Sequence, residues 1–123
     1  MRRLFQQRGK ELGRSCEELA CRFLKNQGYT IIETNFQTRL GEIDIVAQKD
    51  NYLVFIEVKA RRSYNYGLPQ EAVTTRKQQA IKKVAQTFIQ KKGLEQKMLR
   101  FDVIAITFPK QAKPMIEHIP FAF

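Results

Sequence analysis

The residues best suited to chemistry lie in one stretch, Gly41 to Arg62, GEIDIVAQKDNYLVFIEVKARR. Two alternating runs, Glu42 to Gln48 and Leu53 to Lys59, flank Lys49-Asp50-Asn51-Tyr52, whose Asp-Asn centre suits the positive φ angles of a tight hairpin turn. A loop symmetric about Asp50-Asn51 sets Ile43 against Val58, Ile45 against Ile56 and Ala47 against Val54 on one apolar face. The other face then carries Glu42 opposite Lys59, Asp44 opposite Glu57, and Val46 opposite Phe55. A slip of one residue would place Asp44 against Ile56 and mix the faces, so the period of two selects this register.

The expected chemistry follows from the Asp44/Glu57 pair. Directly opposed residues on one face have Cβ atoms roughly 4.5–5.5 Å apart, and like charges there repel. A hard divalent cation, which prefers carboxylate oxygens and water, would turn that repulsion into a binding site. Lys59 projects from the same face two residues beyond Glu57. An ammonium does not bind such a metal, but it can orient a water, move a proton or neutralise charge on a phosphate. An Asp followed by Glu-x-Lys on the next strand therefore suits metal-assisted phosphodiester hydrolysis. Glu-x-Lys alone also suits an ordinary solvated strand face; the paired Asp44 and the apolar reverse face favour the chemical reading.

These residues resemble the PD-(D/E)XK motif of the restriction-endonuclease-like and Holliday-junction-resolvase-like nucleases. More closely, the chain resembles the YraN family of small bacterial proteins. The likeness runs in order through Gly13, Glu17-x-x-Ala20, Gly28-Tyr29, Gly41-Glu42-Ile43-Asp44, Phe55-Ile56-Glu57-Val58-Lys59, Glu71-Ala72-Val73, Lys77, Arg100-Phe101-Asp102-Val103, His118-Ile119 and Ala122-Phe123. Cys16 stands where glycine is usual in that family and Ala60 where threonine is common; neither replaces a candidate catalytic side chain. The resemblance implies a nuclease architecture, with catalytic residues Glu17, Asp44, Glu57 and Lys59. It also implies Mg²⁺ or Mn²⁺ held by Asp44, Glu57 and the backbone carbonyl of Val58.

The hairpin must be held by its neighbours in a single α/β domain spanning residues 1–123. A first helix is expected from about Lys10 to Asn26, ended by Gly28, with Leu12, Cys16, Leu19, Ala20, Phe23 and Leu24 on its apolar stripe. Glu17 falls at the rim of that stripe and Glu18 in solvent. A solvated helix-edge acid is the alternative reading of Glu17. Tyr29 to Thr38 reads as a first strand, and Ser63 to Pro69 as a mobile loop beside the site. Thr75 and Gln78 form a capping-box signature that opens a second helix. It runs to Lys92, with Gly93 ending it and Ile81, Val84, Ala85, Phe88 and Ile89 as its stripe. Leu99 to Thr107 is apolar on both faces, as in a central strand parallel to its neighbour, with Asp102 a hydrogen-bonded structural residue. Met115 to Ile119 is a last edge strand. The order αβββαβ plus a terminal strand matches the nuclease-like core, a mixed sheet flanked by helices. His118 has no acid-base partner at recognisable spacing and reads as structural.

Charge points to a polyanion. Twenty-two Lys and Arg against twelve Asp and Glu give a formal net charge of +10. They cluster at Arg2-Arg3, Arg8 to Arg14, Arg61-Arg62, Arg76-Lys77, Lys82-Lys83 and Lys91-Lys92. Arg39, Arg61, Arg62 and Lys77 are the candidate nucleic-acid contacts. For Lys77 a snorkelling side chain is the alternative reading. DNA stands ahead of RNA as partner, branched DNA by resemblance to resolvases, and symmetric cutting of two strands would call for a homodimer. No apolar run approaches a membrane span and no signal peptide h-region is present, so a cytoplasmic protein with Cys16 and Cys21 as reduced thiols is expected. A nucleic-acid-binding module without turnover and an interaction subunit of a DNA-processing assembly remain open beside the endonuclease. The helix phase makes one distinction testable. Glu17→Gln should weaken metal-induced stabilisation on the order of 10–100-fold in metal affinity. Glu18→Gln should change stability by no more than about 0.5 kcal/mol. Thermal shift against Mn²⁺ concentration compares the two.

Overall fold

The computed structural model describes residues 15–62, 68–95, 97–110 and 112–123. The start of the first helix from Lys10 with Leu12, the basic clusters Arg2-Arg3 and Arg8 to Arg14, and positions 63–67 of the loop expected beside the site lie outside them. Helix α1 occupies 15–26 of the described chain. The strands are β1 (Thr30–Thr38), β2 (Gly41–Lys49), β3 (Tyr52–Arg61), β4 (Met98–Thr107) and β5 (Met115–Ile119), with α2 (Thr75–Lys92) between β3 and β4. They form one five-stranded sheet in the order β1-β2-β3-β4-β5. Only β3 and β4 run parallel, because α2 carries the chain back across the sheet between them. This is the α/β core with a mixed sheet expected from the sequence.

The helices cover opposite faces, and the alternation of side chains along the strands shows which residues meet which helix. Leu53, Phe55 and Val103 pack with Ile81, Val84, Ala85, Phe88 and Ile89 of α2. Val54, Ile56, Ile104 and Ile106 pack with Cys16, Ala20 and Leu24 of α1. Phe88 is completely buried, with Phe36 and Phe55 edge-on to its ring. Truncating a phenylalanine so placed typically costs about 3–5 kcal/mol. Among the described residues no helix is long and apolar enough to cross a membrane.

The ends of the elements have local causes. Gly28 takes φ 88° and closes α1, while Tyr29 N–H donates to the Leu24 carbonyl and Lys49 Nζ to the Gln27 carbonyl. The N-cap of α2 is Thr74 rather than Thr75: its backbone is extended, and its Oγ1 accepts the Lys77 N–H at 3.2 Å. Gln78 reaches the Val73 carbonyl instead of closing a capping box. Gly93, at φ 65°, ends the helix. In the hairpin Lys49 pairs with Tyr52, and Asp50 supplies the positive φ, 54°.

On the α1 face, β4 and β5 are joined by a buried polar network. Asp102 is fully buried; it accepts from Arg100 Nε and Nη2, from Phe121 N–H, and meets His118 Nε2 at 2.7 Å. Arg100 also bonds the Tyr29 hydroxyl and lies 5.3–5.5 Å from the ring centres of Tyr29, Tyr52 and Phe121. Burial alone would raise the Asp102 pKa, but the bonds from His118 and Arg100 outweigh it and hold the carboxyl below its usual range. His118 therefore does have an acidic partner, one supplied by strand pairing and invisible in sequence spacing. Asp102→Ala should destabilise the protein by about 3–5 kcal/mol, because it strands the Arg100 charge. Glu117→Ala, which removes the exposed partner of Arg61, should stay within about 1 kcal/mol. Urea denaturation of both variants provides the comparison.

Candidate active site

The paired positions of β2 and β3 agree with the expected register at Ile45/Ile56, Val46/Phe55 and Ala47/Val54, but the ladder ends at Ile45/Ile56. Beyond that point the Val58 N–H donates at 2.8 Å to Asp44 Oδ2 in place of a backbone carbonyl. Asp44 and Glu57 are thus not a regular cross-strand pair. The strand also changes direction here. Ile43 packs with Val46 and Phe55 beneath α2, whereas Ile45 and Ala47 lie beneath α1. The single apolar face containing Ile43, Ile45 and Ala47 is therefore corrected: residues two apart share a face only in an undistorted strand. β1 bends at the same level. Asn35, between the residues paired with Ile45 and Ile43, adopts φ 54°, a left-handed conformation that asparagine tolerates better than most residues.

That bend positions Glu17. Asn35 Nδ2 donates at 2.9 Å to Glu17 Oε2, while Glu17 Oε1 is buried with no hydrogen-bond partner among the described residues. Burial raises the Glu17 pKa, the Asn35 bond opposes this, and Glu42 adds to the rise. Glu18 is exposed, as its helix phase requires. The bond from Asn35 was not foreseen, although an asparagine inside an otherwise strand-like TIIETNFQT is a signal for a local break.

At the centre stands Glu57, whose side chain is 7% exposed. Its Oε1 receives Lys77 Nζ at 2.6 Å and lies 3.6 Å from Lys59 Nζ. The first turn of α2 thus delivers a second lysine to the carboxylate of the motif. Asp44 is pushed up to about 7, first by burial and then by the charge of Glu57, with the Val58 N–H opposing both. Lys59 is lowered, by burial and by the neighbouring Lys77. Burial would lower Lys77 as well, but its bond to Glu57 prevails and its pKa is raised.

The donor set fits a hard cation. Val58 N–H points toward β2, and the N–H and C=O of one strand residue point to the same side, so the Val58 carbonyl also faces β2 beyond the end of the ladder. Asp44 Oδ2 accepts the Val58 N–H, and Glu57 Oε1 is the oxygen that faces both ammonium groups. The partnerless Glu17 Oε1 and the raised Asp44 are carboxylate groups that a cation would engage favourably. Among the described residues no group of three or more His, Cys, Asp or Glu side chains forms a ready-made metal cluster. Carboxylates from two strands, a carbonyl and water would make up the coordination. Of the other predicted contacts, Arg39 and Arg62 are exposed, whereas Arg61 bonds Thr107 Oγ1 and Glu117 Oε2 and ties β3 to β4 and β5. Cys16 and Cys21 are free thiols.

Residues 16–106 match the model of the Uncharacterised protein family UPF0102. The chain belongs to the UPF0102 family. It is 51% identical over 108 residues to a UPF0102 protein of Trichlorobacter lovleyi, covering 87% of this chain and 85% of the relative. A UPF0102 protein of Caldicellulosiruptor saccharolyticus is 48% identical over 97 residues, covering 79% of this chain and 82% of its own length. One from Clostridium botulinum strain Loch Maree is 51% identical over 98 residues, with 79% and 80% covered. The family match encloses Glu17, Asp44, Glu57, Lys59 and Lys77, so the whole site belongs to the UPF0102 domain.

The raised Asp44 dictates a pH dependence for the metal-free protein. A carboxyl that holds its proton more tightly folded than unfolded lowers stability as pH rises from its model value of 3.8 through about 7. Asp44→Asn keeps an acceptor for Val58 N–H and removes the charge. In EDTA it should be more stable than the wild type at pH 8 by on the order of 1–4 kcal/mol, with the difference shrinking toward pH 4. Denaturant titrations across that range measure it.

Proposed function

We propose that this UPF0102 protein is a divalent-metal-dependent endonuclease that hydrolyses phosphodiester bonds in DNA. The observation carrying the proposal is the convergence of Asp44, the nearly buried Glu57 and Lys59 where the β2–β3 ladder opens. Asp44, Glu57 and the Val58 carbonyl would hold Mg²⁺ or Mn²⁺. Bound there, the ion would stabilise charge on the reacting phosphate and acidify a water. Lys59 approaches the site from beside Glu57, and its lowered pKa eases proton transfer with an attacking water or leaving oxygen. Its remaining positive charge neutralises the phosphate as charge develops. Glu17, held by Asn35, flanks the Asp44 side and supports outer-shell water.

The substrate side rests on charge. Exposed Arg39 and Arg62 provide phosphate contacts of the kind that read backbone shape rather than base sequence. DNA with branched or flapped structure is the substrate class, and a homodimer would supply the second site for symmetric cutting. A module that binds nucleic acid without turnover is the second reading, favoured by one observation: Glu57 is paired with two lysines of the chain itself.

Lys59→Met decides between them. With Mg²⁺ or Mn²⁺, the wild type should cleave a four-way junction or a flapped duplex, and EDTA should stop it. Lys59→Met should lower the rate on the order of 10²–10⁴-fold while junction binding changes little. Binding without cleavage by the wild type in either metal would select the binding module. No binding even at low salt would select an interaction subunit.

A further inference from the structure

Lys77 contacts the Glu57 oxygen more closely than Lys59 does, 2.6 against 3.6 Å, although Lys59 is only two positions from Glu57 on the same strand. Its surroundings differ too. The Lys77 side chain is 42% exposed, whereas Glu57 is 7% exposed. Its backbone is fixed, since Thr74 Oγ1 accepts the Lys77 N–H at the start of α2. Only the flexible four-carbon side chain need move for the ammonium to leave Glu57 for solvent or for a ligand beside the site. The exposed end of the pair is the lysine, so the ammonium can exchange Glu57 for a different partner without the core opening.

Resting on the metal-dependent reading above, we propose that Lys77 couples metal binding to phosphodiester binding by exchanging Glu57 for a phosphate oxygen. Asp44 and Glu57 against Lys59 and Lys77 make the quartet formally neutral when all four are ionised. A divalent cation added to that quartet leaves an excess of positive charge and meets an ammonium already on the carboxylate oxygen. A phosphodiester anion supplies the opposite charge and gives Lys77 an alternative acceptor. Once Lys77 has moved, Glu57 retains Lys59 as a more distant cation and both of its oxygens can face the ion. Each ligand therefore favours the other, and by linkage the two effects are equal in size. Lys77 is a positioning residue in this scheme, acting through Glu57. The consequence is selectivity: metal held weakly by the free protein limits hydrolysis to the nucleic-acid complex.

The test measures Mn²⁺ affinity, by the electron paramagnetic resonance signal of the free ion, on the full chain. A Lys59→Met background keeps a short DNA duplex from being cut. In that background the duplex should tighten Mn²⁺ binding at least about 5-fold, the lower end of ordinary coupling. Adding Lys77→Met should tighten Mn²⁺ binding about 5-fold without DNA and leave the duplex less than about 2-fold further effect. Adding Lys77→Arg instead should keep the coupling, because the side chain remains a cation with phosphate-binding geometry. Unchanged or weaker Mn²⁺ binding after Lys77→Met, in a protein whose melting curve matches its parent, would overturn the coupling and leave the metal site standing. An equal effect of duplex with and without Lys77 would do the same. Absence of Mn²⁺ binding in every form, wild type included, would overturn the metal-dependent reading and the coupling together.

Discussion

The architecture of the site depends on one substitution of acceptor: a side-chain carboxylate, that of Asp44, takes the Val58 N–H that a strand carbonyl would otherwise receive. A regular antiparallel ladder continued past Ile45/Ile56 would close β2 against β3 and spend the backbone groups of Val58 on pairing. With Asp44 as acceptor, the strands part without leaving a buried donor unsatisfied. The Val58 carbonyl is left facing the gap, and Ile43 can turn to the α2 side while Ile45 remains on the α1 side. Asn35 accommodates the same bend in β1 and, through its amide, fastens α1 to it at Glu17.

The opening collects charges that are costly apart. Burial and the proximity of Glu57 raise Asp44, while burial and Lys77 lower Lys59. Both changes oppose full ionisation of the cluster. Glu57 mediates between the two sets, since its Oε1 is the meeting point of both lysines. The opposite face behaves differently. Asp102 is lowered, not raised, because Arg100, His118 and the Phe121 N–H satisfy its carboxylate in full view of the core. That network fastens β5 and the C-terminal residues to β4, with Ala122 N–H reaching the Phe101 carbonyl and Phe123 stacking on Phe101. Two acidic groups of one sheet are thus shifted in opposite directions: donors outweigh burial at Asp102, whereas burial and Glu57 outweigh the single Val58 N–H at Asp44.

Membership of UPF0102 covers residues 16–106, from the buried face of α1 to the penultimate position of β4. This span contains every charged residue of the site and both Arg100 and Asp102, but stops before His118. The charged residues of the site therefore all lie inside the matched segment. The histidine contact lies beyond the matched segment. The close relatives, at 48–51% identity over most of their length, share the framework in which these charges are held.

Local periodicity and turn chemistry made much of the fold legible. Asp50-Asn51 set the hairpin register, the helical stripes identified Cys16, Ala20, Leu24, Ile81, Val84 and Phe88 as core, and the two-sided apolar run from Leu99 marked β4 as central. These signals lie within a few residues of the structure they specify, so they survive without knowledge of the rest of the chain. The same reasoning brought Asp44, Glu57 and Lys59 to one locality and placed Glu17, not Glu18, toward the sheet. It misplaced Ile43, because a bend defeats a period of two, and it missed Thr74, whose extended backbone rather than its residue type makes it the cap. Which lysine would hold Glu57 and which acid would meet His118 were decided only in three dimensions. Those contacts join elements twenty residues apart through the α2 crossover and adjacent strands separated by sixteen; their geometry comes from packing α2 on the sheet and pairing β5 with β4, which no spacing in the sequence encodes.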